Sequence, residues 1–369
     1  MSTKNEIIKK FLDKGSLLSP EALEFIGDKN VEELLKAEYK KLILTERDFQ
    51  FSKVKIIKNL TEKPKELTTE DYLKFFTSKY EKMRTIILER TQKDFVSINK
   101  LDYLRQEVNV IGIIREIKKK ENKTTVEIED LTGSIQGVFE ETPGNIDEND
   151  VVAINGIGAG KVLYAKKVTL PDIPLRQAKK GFDKICLISD LSLDEAPIQE
   201  VEKFLRWFET QNIKFLIVTG DIGDRKKFED LISRFCYNKT IIVAAGTNST
   251  DKEYPNLPDK YESRNIITVS NPAAIEINNI IILIIHKFNL EMLKKRYLGE
   301  SKAILPEDYL ILDVIPDIVL CGYTKKPEIS NYKSVTIINS GSPLTDFRPA
   351  IIDLETREVE QINIEKINV

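Results

Sequence analysis

The sequence predicts a multidomain α+β protein: a helical N-terminal module, a small five-stranded β-barrel and a C-terminal α/β domain. Two observations carry this. The apolar period is helical up to about residue 47, turns to two from Glu107, and becomes consecutive aliphatic runs from Lys184 onward. The chain of 369 residues exceeds one ordinary domain, and its 41% hydrophobic content is ample for several cores.

Residues 1–47 place Ile7, Ile8, Phe11 and Leu12, then Leu23, Phe25 and Ile26, then Val31, Leu34 and Leu35 at helical spacing. Ser19 followed by Pro20 is a good helix start. Residues 48–102 read as linker and helical segment: the lysine-rich "IKNLTEKPKELTTE" links, and "TTEDYLKFFTSKYEKMRTIILER" is a helix capped at Thr68 or Thr69. Residues 103–175 hold five strand candidates, "EVNVIGIIREIKK", "TTVEIED", "SIQGVFE", "DVVAINGIG" and "KVLYAKKVTL", parted by turn residues. With a short helical segment near Asn145 to Asp150, they suit an OB-type barrel. "TLPDIPLR", with two prolines, is its exit linker.

Residues 180–369 alternate aliphatic runs with helices. "KICLISD", "KFLIVTGD", "TIIVAAGTN", "NIIILIIH", "DIVLCGYT" and "VTIINSGSP" read as strands covered on both faces. "PIQEVEKFLRWFETQ" sets Ile198, Val201, Phe204, Leu205 and Phe208 on one helical face, and further helices are expected around Lys226 to Phe235 and Asn289 to Leu298.

The 56 basic and 59 acidic residues nearly cancel, so no global basic field points to nucleic acid. Cys186, Cys236 and Cys321 lie far apart without a CxxC spacing, which reads as buried free thiols in a reducing cytoplasm. The longest aliphatic run, Ile280 to Ile285, is too short to span a bilayer, and "MSTKNEIIKK" has no signal-peptide core, so no membrane is expected.

The ends of the last domain's strands collect a specific set: Asp190; Gly220-Asp221 with Asp224; Gly246-Thr247-Asn248; His286; and Gly322-Tyr323-Thr324-Lys325. A two-metal hydrolase needs carboxylates and imidazoles converging from several loops, so that a hydroxide is activated and a phosphate clamped. In this order the segments "SDLS", "GDIGD", "GTN", "IIH" and "GYTK" resemble a calcineurin-like metallophosphoesterase, a two-sheet sandwich whose pattern is D-x-H, GDxxD, GNH, H and GHxH.

Carried over by that resemblance, Asp190 matches the first aspartate, Asp221 the bridging aspartate and His286 the single-histidine ligand. Asn248 matches the asparagine if one residue is inserted after Gly246. Ser192 replaces a ligand histidine, and Tyr323 and Lys325 replace both histidines of the last motif. His286 is the chain's one histidine, so no imidazole substitutes from elsewhere. Lys325 sets a positive charge where a cation would sit. The implied site is a remnant, with no confident catalytic residue and at most one divalent ion, manganese or magnesium, on Asp190, Asp221 and His286. Simpler alternatives stand beside this: His286 as a hydrogen-bonded structural residue, Asp190 and Asp221 as helix caps, Asp224 as a solvated acid.

"SNPAAIEINN" (Ser270 to Asn279), "MLKKRYLGES", "LPEDYLILDVIPDIVLCGY" (Leu305 to Tyr323) and "DYLKFFTSKYEKMRTIILER" together resemble the small subunit of archaeal family D DNA polymerases, in order from about Asp71 to Glu360. That resemblance implies an accessory subunit that scaffolds a large catalytic subunit, meets DNA within the complex, and reaches other replication factors through its N-terminal module. It also implies a 3′→5′ exonuclease, which the missing ligands argue has been lost; the alternatives are a weak manganese-dependent exonuclease or a free-standing metallophosphoesterase. Phe139 and Tyr164 are the main barrel aromatics, and with lysines such as Lys118 to Lys120 at the edges they favour a protein-contact barrel over a nucleotide-reading one.

Overall fold

The computed structural model describes residues 4–26, 31–35, 42–45, 53–62, 68–103, 105–120, 123–141, 143–246, 254–300, 305, 307–324 and 326–367. Asn248 and Lys325 lie outside the described residues. The chain divides into two compact units, Met1–Lys55 and Ile56–Val369.

The smaller unit packs α1 (Lys4–Leu12), α2 (Pro20–Ile26) and α3 (Val31–Leu34) around Ile7, Phe11, Ala22, Ile26 and Leu34. Ser19 caps α2, its Oγ accepting from Ala22 N at 3.2 Å. β1 (Leu17–Leu18) and β2 (Ile43–Leu44) pair in parallel beside the helices.

The larger unit begins at Ile56, within β3 (Val54–Lys58), in a segment whose lysine-rich composition reads as linker; β3 takes an edge of the second sheet described below. α4 (Thr69–Arg90) starts at Thr68, where a capping box settles the choice between two threonines: Thr68 accepts from Asp71 N and Asp71 accepts from Thr68 N. β4 (Glu107–Lys120), β5 (Lys123–Asp130), β6 (Gly133–Phe139), β7 (Val151–Ala159) and β8 (Val162–Thr169) close a barrel in the order β4-β5-β6-β8-β7, with only β6 and β8 parallel. That closed five-strand order is the OB topology. The helix expected near Asn145 to Asp150 is absent; turns stand there, with Asp147 N donating to Asp150 Oδ2 at 2.7 Å, so local side-chain bonding wins over helix. Phe139 is buried and leaves Tyr164 as the exposed barrel aromatic of the pair.

Two six-stranded sheets follow. β9 (Lys184–Ser189), β10 (Phe215–Thr219), β11 (Thr240–Ala244) and β12 (Ile266–Val269) run parallel; beyond β9, β18 (Ala350–Asp353) is antiparallel to β9, and β19 (Val359–Gln361) antiparallel to β18. The second sheet has the order β16-β17-β15-β14-β13-β3, from β13 (Ala273–Ile277), β14 (Ile280–Ile284), β15 (Ile318–Cys321), β16 (Pro327–Tyr332) and β17 (Val335–Ser340). α5 (Ile198–Thr210) and α6 (Arg225–Phe235) cover the first sheet through Phe204, Phe208 and Phe228; α7 (Leu290–Lys295) packs on the second through Leu293. Ser189 Oγ lies 3.0 Å from Ser340 Oγ, joining the ends of β9 and β17 across the two sheets. All three cysteines are buried and free, and burial pushes the Cys236 and Cys321 thiols up to about 12. No described helix is long and apolar enough to cross a membrane.

Candidate metal centre

The strands β9, β10, β11, β14 and β15 deliver their carboxyl ends to one place, where open α/β sheets hold their ligands. Asp190 follows β9, Asp221 follows β10, His286 follows β14, and Tyr323 follows β15. One ligand atom each from Asp190, Asp221 and His286 lie within 4.8 Å of one another. Asp190, Ser192 and Tyr323 all have left-handed backbones, φ 50°, 46° and 70°. Such conformations cost non-glycine residues about 1–2 kcal/mol each and persist only where their surroundings hold them.

Asp190 is the hub. Its Oδ1 accepts from His286 Nε2 at 2.7 Å and from Asp221 N at 3.2 Å, and its Oδ2 accepts from Tyr323 N at 2.8 Å. Its backbone carbonyl accepts from Ser342 Oγ at 2.7 Å, and its N–H donates to Thr219 O at 3.0 Å. Three of the carboxylate's roughly four lone-pair positions are therefore used by the chain itself. His286 is held in turn: its N–H donates to Asn271 Oδ1 at 3.0 Å and its carbonyl accepts from Gly322 N at 3.0 Å.

Glycines make this close packing possible. A Cβ at Gly322 would stand 2.4 Å from Asp190 Oδ2, and one at Gly246 would stand 2.0 Å from Asp221 Oδ1. The sequence places Gly246 and Gly322 in the strand-end set; their role as walls of a carboxylate site needs three dimensions. Asn271, in "SNPAAIEINN", and Asn339 and Ser342, in "VTIINSGSP", stand in segments the sequence singled out, but their bracing roles were not legible there. Asn339 Nδ2 donates to Gly322 O and Thr324 Oγ1, bracing the loop that carries Tyr323.

Ser192 and Tyr323, where the resemblance implies ligand histidines, make other contacts. Ser192 N donates to Asp221 O at 2.9 Å, and its carbonyl accepts from Ala196 N at 2.7 Å, so Ser192 shapes the turn. Tyr323 sets its ring edge-on to the His286 imidazole at 5.9 Å and carries the Lys287 ammonium 4.4 Å from its own centroid. Asp224, expected to be merely solvated, is the N-cap of α6, its Oδ1 accepting from Lys227 N at 3.0 Å. Neither Asp190 nor Asp221 caps a helix: α5 begins after Pro197 and α6 after Asp224.

In donor type the two carboxylates and one imidazole fit a single divalent ion. Among the described residues no second group of three or more such side chains converges. The tautomer of His286 decides whether Nε2 serves Asp190 or would offer its lone pair to an ion.

No family model matches the chain. It is 26% identical to the DNA polymerase II small subunit of Archaeoglobus fulgidus over 78% of this chain and 74% of that one. It is also 26% identical to the protein of that name in Pyrococcus furiosus, over 83% and 65%, and 24% identical to that of Methanothermobacter thermautotrophicus, over 92% and 87%. Among solved structures, an archaeal phosphodiesterase covers 49% of this chain at TM-score 0.34 and 22% identity, and a predicted phosphoesterase of Streptococcus pneumoniae covers 50% at 0.33 and 15%. Likenesses that low carry no weight beside the strand order itself. Over more than three quarters of its length, the chain is similar to the small subunits of archaeal DNA polymerase II, the family D enzymes.

Proposed function

We propose that this chain is the accessory small subunit of a family D replicative DNA polymerase, acting as a scaffold for the large catalytic subunit with its own 3′→5′ exonuclease site inactive. The observation that carries the reading is Asp190, whose carboxylate is engaged by His286 Nε2, Asp221 N and Tyr323 N, leaving the site held together by hydrogen bonds. In this reading the barrel of residues 103–175 and the domain of residues 180–369 form the scaffold, residues 48–102 connect, and the module of residues 1–47 reaches other replication factors. DNA is met within the assembled enzyme, in the cytoplasm, where three buried free thiols are at home.

The test is co-expression of the tagged chain with the large polymerase subunit of the same genome, followed by light scattering. A stable heteromer is expected; a chain that never associates with it overturns the scaffold reading.

The convergence of Asp190, Asp221 and His286 favours a second reading, a weak manganese-dependent exonuclease. Those three would hold the ion, which when bound would activate a water for attack on the terminal phosphodiester. The chain's own part would be to orient that ion through Asp190 and to exclude water behind it with the buried His286. Loss of 3′ nucleotides that needs manganese and disappears in Asp221→Ala would establish it; a flat time course ends it.

A further inference from the structure

α4 carries one apolar stripe that its surroundings cover only in part. Leu73, Phe76, Tyr80, Met83 and Ile87 follow one another at spacings of 3, 4, 3 and 4 residues, the seam pattern of a helix that packs lengthwise on another. Tyr80, Met83 and Ile87 are buried with Ile111 and Ile113 of β4, Val151 and Ala153 of β7, and Ile311. Tyr80 is pinned there, its hydroxyl donating to Ile111 O at 3.2 Å. Leu73 and Phe76 continue the same stripe toward the start of the helix, and they are 66% and 48% exposed. The barrel thus covers the later half of the seam and leaves the earlier half to solvent.

The exposed half is held in shape. The capping box of Thr68 and Asp71 closes its first turn. Phe75, itself buried, meets the Phe76 ring edge-on at 5.4 Å and fixes it. The charges beside the stripe are engaged, Glu70 with Lys74 at 3.7 Å and the Lys79 ammonium 3.6 Å from the centroid of the Tyr297 ring. A partner would therefore meet an apolar surface whose neighbouring charges are already satisfied.

From the continuity of the seam we infer that its exposed half docks an amphipathic helix of the large catalytic subunit, an assignment that rests on the small-subunit reading above. Three arguments choose this occupant. α4 satisfies its own backbone, so a segment laid on it finds no main-chain partners there and must satisfy its own, as a helix does. The alternating 3 and 4 spacing fits the apolar ridge of a second helix. Two exposed side chains fall far short of the roughly 20–30 residues a side that hold a stable dimer, which disfavours a second copy; a partner already anchored elsewhere on the chain needs only a local contact here.

The test compares the full chain with the double variant Leu73→Ser, Phe76→Ser, each titrated with the large polymerase subunit of the same genome. Both positions are exposed, so the variant retains the fold, and an unchanged unfolding midpoint verifies this. The variant should bind about tenfold more weakly, at low and high salt alike, as loss of apolar contact does. In the wild-type complex, hydrogen exchange at residues 73–78 should slow relative to the free chain. A heteromer that the double variant forms with equal affinity, or exchange at residues 73–78 that the large subunit leaves unchanged, overturns the docking proposal while leaving the scaffold reading intact. Absence of any heteromer overturns both. A concentration-dependent dimer of the free chain that the double variant dissociates assigns the seam to a second copy and overturns the proposal too.

Discussion

Asp190 and His286, 96 residues apart in the chain, meet Oδ1 to Nε2 at 2.7 Å, each only 1% exposed. The first expected outcome concerns this pair. Asp190→Ala strands three donors, the His286 ring N–H and the backbone N–H groups of Asp221 and Tyr323, in a buried site. Stranded buried donors cost about 1–3 kcal/mol each, so a loss of about 3 kcal/mol or more is expected. Asp190→Asn keeps an acceptor and the shape, and should cost less. Urea unfolding followed by circular dichroism decides: an unmoved midpoint in Asp190→Ala means the hydrogen bonds do not hold the domain.

The same pair predicts the response to metal. An ion at a hundred times its dissociation constant would stabilise the fold by about 2.7 kcal/mol. On the scaffold reading, with Asp190 Oδ1 and His286 Nε2 holding each other at 2.7 Å, we expect manganese to leave the unfolding midpoint in place. Calorimetric titration of the chain with manganese checks this directly. Stoichiometric binding accompanied by a raised midpoint would favour the exonuclease reading over the scaffold.

The contrast between what the sequence revealed and what it concealed follows from distance along the chain. Periodicity is local, so the barrel strands and the amphipathic α5 were readable from Glu107 and Ile198 onward. β3, β12, β13, β16, β18 and β19 were not foreseen: short strands at or near sheet edges, or interrupted by Glu276, carry little local signal. Asp190, Asp221 and His286 were legible because each closes an aliphatic run at a strand end. The hydrogen-bond map that ties them was not, since Asn271, Asn339 and Ser342 act across 15 to 152 residues and look like ordinary loop polars. Asp224 illustrates the reverse error, a cap taken for a solvated acid because capping depends on where α6 begins.

Gly322 tests the packing of the site independently of charge. A methyl at Gly322 would lie 2.4 Å from Asp190 Oδ2 and 3.1 Å from His286 Cδ2, so the pair must move. Overpacking of this kind costs about 1–3 kcal/mol. Gly322→Ala should lower the unfolding midpoint, and the loss should shrink in an Asp190→Ala background, where the clashing oxygen is gone. A double-mutant cycle reads the coupling, and strictly additive losses would place the strain elsewhere.

Lys295 holds the barrel to the following domain. At the end of α7 its Nζ sits 2.7 Å from Asp150 Oδ2, both side chains about seven-eighths buried, and it also pairs with Asp147. Lys295→Ala leaves Asp150 buried beside an empty space, at a cost of about 2 kcal/mol. Hydrogen exchange should then rise at residues 143–151 and leave the α5 and α6 layer unchanged. Protection at residues 143–151 equal to wild type would show that the apolar contacts alone hold the barrel.

Lys82 and Glu307 give the acid response of the α4 contact. The hydrogen bond from Lys82, reinforced by its charge, holds the Glu307 carboxyl below its usual value. A carboxylate lowered on folding contributes stability that is present above its unfolded value, about pH 4.3, and is lost as pH falls through the lower folded one. Glu307 is three-quarters exposed, so solvent screening limits the contribution to about 0.5 kcal/mol. The difference in unfolding free energy between wild type and Glu307→Gln should therefore be constant from pH 7 to about pH 5 and fade as pH falls through the lowered folded value. A difference that persists unchanged into acid would trace the effect of the substitution to packing, with no part for the ion pair.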